Sequence, residues 1–293
     1  VRVLIVGCGY VGVALGAELT RQAHEVFGLT RSERRQPELK AAGITPLRGD
    51  ITRAEDLNSL PSNWDWVVNC VSSSGGTPEQ YREVYLEGVR NLINRLAQAP
   101  PQKFVYTSST GVYGQNDGSV VTETSPTEPV SETARILVQA EAALLQAVSS
   151  QRFPAVILRV SGIYGPGRGY WLKQFVNGQA RINDDGQRII NMVHRDDVAG
   201  AIIAAFQTGE PGQICNVTDD EPVSQHKLFK WLSQALPRSL PALSSPEARL
   251  RTNRGATNKK VSNAFLKRRW GYRLKYPTFR EGFAAEISGL AAS

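Results

Sequence analysis

The chain opens Val1-Arg2-Val3-Leu4-Ile5-Val6-Gly7-Cys8-Gly9-Tyr10-Val11-Gly12, and the reading of this stretch decides the fold. An apolar run of strand length leads straight into Gly-x-Gly-x-x-Gly. Val11, Leu15 and Leu19 then recur at helical spacing through Val11–Thr20. Such a glycine pattern is weak evidence alone and becomes specific between a strand and a helix. Gly7 permits a tight turn, Gly9 lets the backbone approach a pyrophosphate, and Gly12 lets helix and strand pack closely. The amides of Tyr10 and Val11, at the helix start, are then aimed at phosphate oxygens. A secretory leader is the competing interpretation, but glycines at 7, 9, 12 and 16 interrupt what would be its apolar stretch.

Working outward, strand-like and helix-like segments alternate. Strands are expected at Glu25–Thr30, Ile44–Leu47, Trp66–Val71, Lys103–Thr107 and Ala155–Val160. Helices are expected at Pro37–Ala42, Ala54–Leu60, Pro78–Gln98 and Glu132–Ser149. Alternation of this kind predicts an α/β fold, a doubly wound parallel sheet (Rossmann fold) covered by helices on both faces. Tyr164–Trp171 is turn-rich and aromatic and reads as a loop, while Arg188–Val193 and Val198–Phe206 read as a return to the main sheet. A strand at Gln213–Val217, a helix at Ser224–Ala235, the Pro/Ser-rich stretch Leu236–Pro246 and a final helical segment read as a small C-terminal substrate lobe. The expected division is residues 1–163 and 186–212 for the NAD(P)-binding domain, with 164–185 and 213–293 for the lobe.

With 293 residues, 41% hydrophobic and 21% charged, the chain has the make-up of a soluble globular protein. The net charge of +7 points to anionic ligands or to solvated basic faces such as Arg31/Arg34/Arg35, Arg251/Arg254, Lys259/Lys260 and Lys267/Arg268/Arg269. No recognition motif accompanies that charge, so nucleic acid is not expected as a partner. Cys8, Cys70 and Cys215 are odd in number and widely spaced, which excludes a disulfide framework and fits a reducing cytoplasm. No metal-ligand spacing is present, and no apolar run is long enough to span a membrane. The expected partners are a small-molecule substrate and, at most, a second copy of the chain.

The cofactor is read at the end of the second strand. An NAD site wants an Asp or Glu there for the ribose 2′-OH, whereas this chain has Gly28-Leu29-Thr30-Arg31-Ser32. Arg31 pairing with a 2′-phosphate and Ser32 donating to it predict NADP, with NAD as the alternative.

Further on, Ser108-Ser109-Thr110-Gly111-Val112-Tyr113-Gly114, Leu158-Arg159 followed by Tyr164-Gly165-Pro166-Gly167-Arg168, His194-Arg195-Asp196-Asp197-Val198-Ala199 and Cys215-Asn216-Val217 stand in order. In these segments the chain resembles the extended short-chain dehydrogenase/reductases, the NAD-dependent epimerase/dehydratases. The resemblance implies that Asp50, in Gly49-Asp50-Ile51, contacts the adenine, and that Cys70 and Val71 lie beside the ribose and pyrophosphate. It also implies that Ser109 binds the reacting oxygen. The family's Tyr-x-x-x-Lys pair falls, counting back from Glu141, on Thr133 and Leu137, so this chain resembles the atypical members that lack it. Tyr113 is then a candidate proton donor beside Ser109, a substrate group or water being the others. Gly162 and Tyr85 replace asparagines that sugar-nucleotide enzymes of the family carry, which argues against a UDP-sugar. Tyr164, Arg168 and His194 are the candidate substrate residues, and Asp196 and Asp197 are expected to cap the helix that follows. The expectation is an NADP(H)-dependent oxidoreductase or epimerase-like enzyme acting on a small polar or aromatic metabolite. The alternative is a catalytically silent NADP-binding redox sensor or scaffold.

Overall fold

The computed structural model describes residues 1–73, 76–183, 185–244 and 257–291, with side chains to residue 289. Its frame is a seven-stranded parallel sheet. The strands are β1 (Arg2–Val6), β2 (Glu25–Thr30), β3 (Thr45–Arg48), β4 (Trp66–Asn69), β5 (Lys103–Ser109), β6 (Ala155–Val160) and β7 (Ile214–Val217). They lie in the order β7-β6-β5-β4-β1-β2-β3. β1 shows why the sheet is covered on both sides. Its side chains alternate, so Val3 and Ile5 join Leu15, Leu19, Val198 and Ile202 on one face. Leu4 and Val6 join Leu92, Leu144 and Phe104 on the other. These four β1 residues, Val3 to Val6, are fully buried, each contributing about 1.5–3 kcal/mol by leaving water.

A second, smaller core is built from Leu172, Phe175, Ile182, Val223, Phe229, Phe279 and their neighbours, and it forms the lobe. The structure departs from the expected reading of the lobe and its surroundings in four places. Gln213–Val217 belongs to the main sheet: Ile214–Val217 pairs in parallel with Ile157–Val160. Arg188–Val193 does not return to that sheet; Ile189–Ile190 pairs with Val223–Ser224, and Met192–His194 with Gly162–Tyr164, in separate two-stranded units. Val198–Phe206 is not a strand but lies in the helix Arg195–Thr208. That segment is apolar on every side because it is buried on every side, so neither period shows in its sequence. Near the C-terminus, Leu266 and Trp270 pack on the main core rather than the lobe.

The aromatic stretch Tyr164–Trp171 ends in a helix, Tyr170–Val176, preceded by a tight turn in which Gly165 and Arg168 exchange backbone hydrogen bonds at 2.8 Å. Arg251, Arg254 and the end of Leu236–Pro246 lie outside the described residues. Among the described residues no helix is long and apolar enough to cross a membrane.

Candidate functional site

A cleft of about 520 Å³ runs across the carboxyl ends of the parallel strands, where an open α/β sheet binds its ligands. At its centre is the turn after β1. Gly7 has φ +81°, and a Cβ there would sit 2.6 Å from the backbone of Val71, so only glycine fits. Gly12 is also closely hemmed, a Cβ meeting the Gly7 carbonyl at 3.0 Å and Ile5 at 3.1 Å. Gly9 differs: a Cβ would find nothing nearer than Arg35 Nη1 at 3.7 Å, so the space above it is open cleft. The helix Tyr10–Arg21 begins here with no side-chain cap and no acid in its first turn. Its first amides have no intrahelical acceptor and a partial positive charge, which makes this turn an anion site. An open cradle above Gly9 with unspent N–H donors fits a dinucleotide pyrophosphate.

On one side of the turn lie Arg31, Ser32, Asp50 and Ile51. Arg31 reaches Asp50 at 3.4 Å. Burial tends to raise the Asp50 carboxyl, but the amide and hydroxyl of Thr52 and the Arg31 guanidinium outweigh it and hold the group below its usual value. Arg35, named in the sequence only as part of the basic cluster Arg31/Arg34/Arg35, also lines the cleft. Cys70 and Val71 line the floor with Cys8. Burial pushes the Cys8 thiol up to about 12 and raises Cys70 further, so neither is a thiolate near neutral pH.

On the other side stand Ser108, Ser109, Leu137, Ser161, Tyr81 and Tyr85. Ser109 Oγ accepts the Gly111 amide at 3.0 Å, which leaves its own proton to give. Leu137 faces this end of the cleft and packs with Tyr81 and Tyr85 on an apolar cluster. Thr133 does not line the cleft, and its hydroxyl lies 3.4 Å from that of Ser131. Arg135 turns away to the carbonyls of Pro129 and Val130. Tyr81 and Tyr85, 4.9 Å apart between ring centres, sit where the helix from Pro78 becomes π-helical over Arg82–Glu87. Tyr85 accepts the Ser73 amide at 3.2 Å. Their i, i+4 spacing was the available signal for a shared face.

Three candidates do not reach the cleft. Tyr113 is fully buried, its hydroxyl donating to Asn216 Oδ1 at 2.7 Å and accepting from Arg159 at 2.9 Å. Arg159 in turn forks onto Glu141, which also accepts the Ser108 hydroxyl at 2.5 Å. Tyr113 thus belongs to a buried polar network that fixes β5, β6 and the helix Glu132–Gln151, and it does not line the cleft. Tyr164 is 2% exposed in the lobe core, bonded to the Thr278 carbonyl. His194 is 1% exposed and caps the helix Arg195–Thr208 by accepting the Asp196 amide at Nδ1. Burial pushes its pKa down to about 4. The cap expected from Asp196 and Asp197 is therefore His194. Asp197 instead accepts the Tyr272 hydroxyl and the amides of Lys275 and Tyr276. Of the candidate substrate residues only Arg168 lines the cleft, its guanidinium 5.2 Å from the centre of the Tyr10 ring.

A glycine-turned anion site at the switch of a doubly wound sheet defines a dinucleotide-binding α/β protein with a capping lobe. The chain belongs to the NAD dependent epimerase/dehydratase family, whose model matches residues 3–218. It is 27% identical to Protein YeeZ of Escherichia coli K12 over 94% of this chain and 96% of that protein. It is 25% identical to the 3-diazoavenalumate denitrifying reductase of a Streptomyces species, over 97% and 100% of the two chains. A solved structure of a candidate NAD-dependent epimerase/dehydratase from Methylobacillus flagellatus superposes with a TM-score of 0.78 at 34% identity, covering 99% and 98%.

Proposed function

We propose that the chain is an NADP(H)-dependent oxidoreductase acting on a small polar or aromatic carbonyl-type compound. The observation that carries this is the uneven lining of the cleft. Charge is concentrated at one end, in Arg31, Arg35 and Asp50, and around the turn, where Arg168 stands. The other end offers serine hydroxyls, two tyrosines and aliphatic side chains, and no charged group among the described residues. A 2′-phosphate finds Arg31 and Ser32 at the first end, and no carboxylate follows β2 directly to receive a 2′-OH. Among the described residues, a nucleotide-sugar diphosphate finds no cationic pair at the second.

When bound, a nicotinamide supplies or accepts hydride. The protein's own part is to orient the reacting oxygen by the Ser109 hydroxyl and to keep water out with Leu137, Tyr81 and Tyr85. With Tyr113 enclosed, we assign proton delivery to Tyr85, whose oxygen receives the Ser73 amide so that its own proton is directed elsewhere. Similarity to a relative named as a reductase favours the reductive direction.

The test is NADPH oxidation across a library of aldehydes, ketones and imines. Turnover that falls in Ser109→Ala and Tyr85→Phe, with cofactor affinity kept, is the expected result. Tight NADPH binding without turnover of any compound would favour the silent sensor or scaffold instead, a reading that Leu137 in the cleft supports. Micromolar binding of UDP-glucose, UDP or GDP in the presence of NADP would overturn the substrate class.

A further inference from the structure

Two guanidiniums from distant parts of the sequence converge on the turn at Gly9. Arg35 follows β2, and its Nη1 is the nearest atom to the open space above Gly9. Arg168 comes from the lobe, out of the turn Gly165–Arg168, and faces the ring of Tyr10, the first residue of the helix. Arg195 faces the same ring at 5.2 Å, but it is neutralised by Asp196 at 2.9 Å. Arg168 makes no ion pair among the described residues, while Arg35 holds only the exposed Glu38. The lobe turn is shaped around this contact: a Cβ at Gly165, where φ is +137°, would meet His194 Nε2 at 2.9 Å and the Tyr10 hydroxyl at 3.1 Å. The same turn is tied to the last helix, Phe279–Ala291, by the Gly167 amide donating to Glu286 at 3.3 Å.

We infer that Arg35 and Arg168 form a clamp for the diphosphate of the dinucleotide, so that the lobe turn, already seated against Tyr10, serves the cofactor rather than the substrate. This rests on the dinucleotide reading of the cleft above and moves Arg168 from the substrate to the cofactor. The diphosphate is common to NADP(H) and NAD(H), whereas the 2′-phosphate assigned to Arg31 is not, and that difference separates the roles.

Calorimetry with NADPH and NADH on the full chain tests the clamp. Arg168→Ala and Arg35→Ala are each expected to weaken both cofactors roughly tenfold, leaving the ratio of the two affinities unchanged, because one charge-assisted contact is lost in each case. Arg168→Lys keeps the charge and should recover most of the loss. Hydrogen exchange supplies a second readout: NADPH should protect residues 165–168 in the wild type and not in Arg168→Ala. Melting temperatures without ligand should match closely, since Arg168 is exposed and, beyond facing the Tyr10 ring, makes no ion pair among the described residues. Unchanged affinity for both cofactors, or a loss confined to NADPH, would overturn the clamp. A wild-type protein that binds neither dinucleotide would remove the reading beneath it, a result distinct from either.

Discussion

Alanine at Gly7 and at Gly9 should have opposite effects on the same turn. At Gly9 the backbone has φ −96°, and an added Cβ meets nothing closer than 3.7 Å. The substitution should leave the ligand-free stability within about 0.5 kcal/mol of wild type. The methyl group nevertheless occupies the space above the helix amides that a diphosphate must enter. Overpacking costs of about 1–3 kcal/mol then fall on binding, on the order of a hundredfold in affinity at the upper end. At Gly7 the φ of +81° costs an L-residue about 1–2 kcal/mol, and contacts of 2.6 Å with Val71 add a similar overpacking term, so about 2–5 kcal/mol falls on folding itself. For a chain of this size that lowers the melting temperature by roughly 5–15 °C. Thermal melts without ligand, paired with NADPH titrations, read both quantities. Gly9→Ala binding NADPH like wild type would refute the reasoning, as would Gly9→Ala melting as early as Gly7→Ala.

Three other outcomes follow from the buried polar groups. Glu141→Ala leaves the Arg159 guanidinium uncompensated inside the protein and should cost about 3–5 kcal/mol in denaturant unfolding. Tyr113→Phe removes hydrogen bonds to Asn216 and Arg159 and should cost about 1–3 kcal/mol of stability without changing NADPH affinity; a lost reaction at normal stability would restore a catalytic role. Asp219, 1% exposed with Oδ2 unpartnered, is pushed up to about 8 by burial and by the carboxylates of Glu221, Asp220 and Asp197. The folded state therefore holds a proton that the unfolded chain releases above 3.8, so this contribution is complete below that pH and is lost as pH rises to about 8. Asp219→Asn should flatten that decline and raise stability at pH 8 by on the order of a few kcal/mol, and an unchanged pH profile of melting would count against it.

What was legible in the sequence depended on local repetition. β1 alternates between two cores and its glycines must turn, so strand, turn and helix could all be read in one stretch. The parallel sheet with helices on both faces followed from alternation of elements. Val198–Phe206 reads as a strand in the sequence because a helix buried all round loses its polar face, and Ile214–Val217 reads as part of the lobe because its partner, Ile157–Val160, lies far back in the chain. Side-chain direction was the least accessible. Tyr113 lies four residues from Ser109, yet its hydroxyl is claimed by Arg159 and Asn216, 46 and 103 positions away. Tyr164 and His194 were drawn inward by the lobe core in the same way, since burying an aromatic body and satisfying its polar end requires partners from other elements. Arg35 and Tyr81 reached the cleft without any motif to mark them.

Cofactor selectivity is the most direct measure of the whole account, since it joins the Gly7–Gly12 turn to the cations beyond β2. Calorimetric titration of wild type and Arg31→Ala with NADPH and NADH should show NADPH tighter by roughly tenfold or more, the gap closing in the variant while NADH affinity holds. Equal or tighter binding of NADH, with a ratio that Arg31→Ala leaves unmoved, would contradict it.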